Sequence, residues 1–174
     1  TRTFRWQTTC EHISSQPYNV VFRAVDDHLG DTTGLATLKT IRIKVVGPPP
    51  EDVQAIASSQ QIEVSWELPY VCENAQEDFF RGFSVWRRIN SDLTPLDTCI
   101  TGLAGRGYTR ISSDDLRDVS GGRYFFLDEN VERGKTYCYR ILAHFARRTA
   151  NGMFFYNPVE SLASEEVCVQ LGRD

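Results

Sequence analysis

The side chains in this sequence able to do chemistry are five cysteines, three histidines and a few adjacent carboxylates. Cys10, Cys72, Cys99, Cys138 and Cys168 form no C-x-x-C pair, so zinc-ribbon and dithiol-redox spacings are absent. His12, His28 and His144 are scattered along the chain and complete no ligand set. The acidic pairs Glu77–Asp78 and Asp114–Asp115 fall in segments read as loops, and no acid/base partner is visible for glycosidase work. No G-x-S-x-G, H-E-x-x-H or phosphate loop occurs. Neither catalysis nor a cofactor is expected. The open question is the sulfur chemistry: reduced structural thiols, or disulfides formed in an oxidising compartment. The elements that carry the cysteines decide it.

Those elements read as strands. Period-two alternation recurs, and no long segment has helical periodicity. In residues 61–67, Ile62, Val64 and Trp66 share one face, while Glu63, Ser65 and Glu67 share the other, as in a half-buried antiparallel strand. Further strands are predicted at 53–58, 82–89, 123–129, 136–145 and 164–171, and in the first 47 residues at 3–9, 18–26 and 38–46. The stretch 90–122 has no clear pattern beyond one or two short strands, with one helical turn capped by Ser113.

In the strand at 136–145, Tyr137, Tyr139, Ile141 and Ala143 form the better core face. Cys138, Arg140, Leu142 and His144 then point the other way. In the last strand Val167 and Val169 face the core and Cys168 faces out. If the two strands are neighbours, both cysteines leave the sheet on one side, and a disulfide needs their Cβ atoms only roughly 4 Å apart. It would close a loop worth about 3 kcal/mol of chain entropy. Cys72 and Cys99 are then the expected second pair, tying the 68–81 connection to the segment after the strand at 82–89. Cys10 is left over, its partner expected in a part of the first domain outside this sequence.

Composition sets the frame. Apolar residues make up 41% and charged residues 24%, the balance of a globular protein. The net charge of −4 argues against nucleic acid or an anionic membrane as the main partner, and no apolar run approaches the about 18 residues of a membrane span. A start at Thr1, with Met153 the only methionine, reads as a piece of a longer protein. The run GPPPED at 47–52 reads as a stiff hinge and domain boundary. Residues 1–47 hold too few strands for their own core and are expected to be the C-terminal strands of an incomplete domain. Their open edges should pair with a second chain or with the 48–174 domain, or lack order, so self-association through these strands is one expected outcome.

Residues 48–172 resemble a fibronectin type III domain. The proline start, the strand with Trp66, GFSVWRR at 82–88, FLDENVERGKTYCYRILAHF at 126–145 and SLASEEVCVQL at 161–171 follow the family's order. The resemblance implies an all-β, immunoglobulin-like sandwich with Trp66 in the core and Tyr137 as the tyrosine-corner residue, its hydroxyl bonding back to the preceding loop. The insertion around 90–122 and the two disulfides depart from the family pattern. YNVVFRAVDD and LKTIRIKVVGPPP resemble the last strands of a cadherin-like or immunoglobulin-like repeat, which makes the N-terminus a partial β-sandwich. In such repeats an acidic residue near Asp26, Asp27 and His28 binds calcium, but two adjacent aspartates supply few of the about 6–8 oxygens needed.

The resemblance also makes the strands at 82–89 and 136–145 neighbours. Trp86 and Arg88 would then share an outer face with Arg140, Leu142 and His144, Trp86 stacking on Arg140. That face either contacts a protein or glycan, as its exposed Trp and arginines suggest, or packs against the insertion. The whole arrangement is similar to tandem domains of large gliding-motility-associated surface proteins of bacteria. It implies an exported, non-enzymatic module for adhesion or spacing, with neighbouring domains of the same protein as partners. The alternative is an accessory domain of a secreted hydrolase.

Overall fold

The computed structural model describes residues 2–26, 34–75, 78–92 and 94–172. Asp27, His28 and Glu77 lie outside the described residues. The chain is all-β: β1 (Tyr18–Val25), β2 (Ala36–Ile43), β3 (Gln54–Ala57), β4 (Ile62–Trp66), β5 (Phe80–Ile89), β6 (Thr109–Arg110), β7 (Val119–Ser120), β8 (Arg123–Asp128), β9 (Thr136–Arg148), β10 (Phe155–Glu160) and β11 (Val167–Gln170). One sheet runs β3-β4-β8-β7; the second runs β10-β9-β5-β6, with β11 also pairing β9. Together they make an immunoglobulin-like sandwich of the fibronectin type III kind, and β1 and β2 form a separate hairpin.

The alternation explains the core. Ile62, Val64 and Trp66 of β4 meet Phe83 and Val85 of β5, and Tyr139, Ile141 and Ala143 of β9, in one buried cluster. Trp66 packs edge-on against Phe83 and stacked on Tyr124. At the entry to β9, the Glu132 N–H donates to the Tyr137 hydroxyl at 2.8 Å, so the loop is tied to the strand that follows it.

Three elements differ from the sequence reading. Residues 3–9 form no strand, because alternation alone supplies no hydrogen-bonding neighbour; a one-turn 3-10 helix, Cys10–His12, follows them. β10 is an additional strand. Within 90–122, residues 113–118 make no helical turn. Leu116 instead bridges to Phe83, exchanging both backbone hydrogen bonds. Gly82, at φ +139°, permits this approach: a Cβ there would lie 2.7 Å from the Asp115 Cα.

The N-terminal segment packs onto the sandwich. Ile13 and Val45 are buried in the same cluster as Trp66. The run after Gly47 is held rather than free, since the Tyr70 hydroxyl donates to the Pro48 carbonyl at 2.7 Å and the Leu162 N–H to the Gly47 carbonyl at 3.1 Å.

Candidate functional site

Cys138 and Cys168 are directly opposite in the β9–β11 register, with Cα atoms 4.0 Å apart, and are bonded. Cys138 is buried and Cys168 exposed. Cys72 is bonded to Cys10, not to Cys99, across a sequence separation of 62. The reason is the fold-back of the N-terminal segment, which sets its 3-10 turn beside the buried Cys72. Cys99 lies exposed and unbonded in the insertion, whose apolar residues pack on the outer face of the β5–β9 sheet. Among the described residues, Cys138, Cys168 and Glu166 make up the one cluster close enough to hold a metal, but both sulfurs are in the disulfide and offer no thiolate.

Trp86, Arg88, Arg140, Leu142 and His144 do share the outer face of β5 and β9, but that face is not open. The insertion roofs it. Leu103 and Tyr108 form a second buried cluster with Leu142, and Leu96, Trp86 and Ala163 pack against it. Trp86 and Arg140 are cross-strand partners, yet the Arg140 guanidinium stands over the Tyr108 ring at 5.7 Å, with Arg88 over the same ring at 5.4 Å. Arg140 Nε–H donates to the Tyr108 hydroxyl at 2.9 Å and Nη1 to the Ser164 carbonyl at 2.6 Å. The Tyr108 hydroxyl bonds the Glu166 carboxylate, and burial first, then that carboxylate, raises its pKa. Arg88 pairs with Asp92 at 2.9 Å. The arginines that looked like hot-spot residues hold the roof down.

Ser84 and His144 lie together under one edge of the roof, Oγ to Nε2 at 2.5 Å. The Trp86 indole N–H donates to the same Oγ at 2.8 Å, leaving the hydroxyl proton for the imidazole. Burial lowers the His144 pKa to about 4, so the ring is neutral and can accept it. Ser84 is fully buried and its oxygen is engaged on both sides, so this pair braces the sheet rather than presenting a nucleophile. Glu160 is opposite His144 in the β10–β9 register, and burial raises its pKa.

The exposed chemistry is elsewhere. At the β9–β10 turn, Met153, Phe154, Phe155 and Tyr156 are 72%, 63%, 54% and 49% exposed. Phe155 carries Arg81 at 4.5 Å and Arg148 at 4.9 Å from its ring centre. Asp78 joins the two arginines, at 2.9 and 3.3 Å. The Arg81 hydrogen bond is the main cause of the lowered Asp78 pKa. A groove of about 890 Å³ adjoins, lined by Arg117, Asp114, Glu160 and His144 among others. The tip was missed in the sequence, although GMFFY gives a signal: four large apolar residues follow a turn without alternating. Asp26, the described member of the calcium candidates, donates its N–H to the Leu35 carbonyl at the end of the β1–β2 hairpin.

No protein-family model matches this sequence, and no curated protein matches it. Among solved structures it is similar to a myokine, at 16% identity and TM-score 0.38, over 73% of this chain and 99% of that one. It is also similar to the twitchin kinase region of C. elegans, at 15% identity and TM-score 0.38, over 72% of this chain and 17% of that one. A third is the chicken interferon gamma receptor alpha chain, at 13% identity and TM-score 0.44, over 95% and 69%.

Proposed function

We propose that this chain is a non-enzymatic interaction and spacing module of a large exported protein, in which a disulfide-stapled β-sandwich separates other domains and offers a contact surface. The observation that carries the reading is the tip from Met153 to Tyr156. Contiguous exposed apolar side chains of this size mark contact sites, and aromatic residues set on arginines are typical anchors. The tip's apolar character favours a protein partner over a glycan. Two disulfides suit a chain that folds outside a reducing cytoplasm, at a cell surface or in secretion. The residue resemblance to gliding-motility-associated surface proteins supports a role in adhesion or scaffolding there.

The test compares the labelled protein with a Met153→Ser/Phe154→Ser variant on an array of extracellular bacterial proteins and on a glycan array. The expected result is a protein target whose binding falls at least about tenfold in the variant, at unchanged melting temperature. Binding only to glycans, or binding that the variant retains in full, would overturn the reading.

A further inference from the structure

The β1–β2 hairpin is a two-stranded sheet, and among the described residues no strand lies along its β2 side. The Asp26 N–H donates to the Leu35 carbonyl at 2.9 Å, which fixes the phase of the ladder. In an antiparallel pair, alternate opposed residues exchange hydrogen bonds. Ala24/Thr37, Phe22/Lys39 and Val20/Ile41 are therefore the bonded pairs in the observed register. Ala36, Leu38, Thr40 and Arg42 accordingly turn their N–H and C=O groups away from β1. Among the described residues no strand pairs with that edge, and every residue of β2 from Ala36 to Arg42 is exposed. The edge strand β10, by contrast, carries Pro158, a residue that blunts pairing.

The hairpin is held at its base. Tyr18 and Ile43 pack against the core beside buried Ile13 and Val45, and the Cys10–Cys72 bond fastens the preceding segment. Phe4 sits edge-on against Phe22 and Val20 is half-buried, while the outward side chains of β2 stand in solvent, with Leu38 65% and Ile41 43% exposed. β1 and β2 contain no carboxylate. Arg23 and Arg42 share one face, and Phe22 and Ile41 share the other with Lys39.

We propose that the outward edge of β2 is a docking site for an extended acidic segment of a partner protein, which adds as a third strand. Its carboxylates lie on the face of Arg42 and Arg23, and its apolar side chains lie beside Ile41 on the opposite face. Backbone hydrogen bonds supply the affinity and the alternation supplies the selectivity. The charge selects this occupant over a second copy, because two paired β2 edges would carry Lys39 on one face and Arg42 on the other from both chains, with no carboxylate in either strand to answer them. The site is independent of the Met153–Tyr156 tip.

The probe is a blocked, fluorescent synthetic peptide in which valine and glutamate alternate over the length of β2; its valine–lysine twin is the control. Anisotropy should show the glutamate peptide binding at least about tenfold tighter than its twin, with affinity falling as salt rises. Thr40→Pro removes one outward N–H and leaves the β1–β2 ladder bonds in place, and it should abolish binding. An Arg23→Glu/Arg42→Glu variant should reverse the preference, which keeps the test decisive if the proline variant unfolds the hairpin. Equal affinity for both peptides, no binding, or a preference that survives charge reversal would overturn the proposal. So would a concentration-dependent dimer that Thr40→Pro dissolves, since the edge would then belong to a second copy.

Discussion

At the scale of single residues, His144 ties the fold to pH. Its ring accepts the Ser84 hydroxyl while neutral, and burial, with Arg110 nearby, lowers its pKa from 6.5 to about 4 against the opposing pull of Asp114. The unfolded chain therefore binds a proton more readily than the folded one. The stability His144 contributes is complete above pH 6.5 and is lost as pH falls toward 4, on the order of 3 kcal/mol at full loss. Glu160, opposite in register, works the other way, since its raised pKa lets the folded state gain as that carboxylate takes a proton. Comparison with a variant isolates the histidine. His144→Gln sets an amide oxygen where Nε2 accepts from Ser84 and does not titrate. Urea midpoints at pH 7, 5.5 and 4 should fall more steeply for the wild type than for His144→Gln. Parallel curves would show that the ring does not carry the effect.

At the scale of elements, the strand edge between β10 and β11 is built from two serines. Ser161 and Ser164 accept the Ala143 and Ile141 N–H groups on their hydroxyls, each at 2.8 Å, while their own N–H groups donate to the carbonyls of the same residues. The hydroxyls thus stand in for backbone carbonyls where the chain bulges away from β9. Ser161→Ala or Ser164→Ala leaves a buried N–H without an acceptor, at an expected cost of about 1–3 kcal/mol each in urea unfolding. A loss below about 0.5 kcal/mol in both would mean that the ladder closes without them. This edge also shows where legibility ended. Strands with one face in the core, such as β4, β5 and β9, could be read because Trp66, Phe83 and Tyr139 recur on alternate positions. β10 could not, because Asn157 at φ +55° and Pro158 break its alternation, and its register shifts between Tyr156 and Val159. Packing of the Trp86 face against the insertion was one of the two readings of that face, but the roof's residues were not legible for a related reason: Leu96, Leu103 and Tyr108 have no common period, and only folding brings them onto Leu142. Parity located Cys138 and Cys168 because both sit in strands. Cys10 and Cys72 sit outside strands, where parity has no meaning.

At the scale of the molecule, the point at issue is whether residues 1–47 are tethered to the sandwich or built into it. Three contacts argue for the second: Ile13 and Val45 in the common core, the Cys10–Cys72 bond, and the passage of Gly47. A Cβ on Gly47 would lie 2.5 Å from Cε2 of Phe145 and 3.2 Å from the Ser161 Cβ. Phe145 is itself buried against Phe79, Phe80 and Tyr70, so the ring cannot swing out. Gly47→Ala should therefore cost about 1–3 kcal/mol through overpacking, in the same cooperative transition that reports Trp66. A flexible linker would tolerate the change. The cysteines test the same junction from the other side. Alkylation of the unfolded, unreduced protein should label one thiol, Cys99, and Cys99→Ser should label none. If Cys10 and Cys72 are labelled as well, the N-terminal segment is held by packing and hydrogen bonds without the disulfide, and the platform on which β2 offers its edge is less firmly fixed. If all five are labelled, the chain was made in a reducing compartment and the exported reading fails with it.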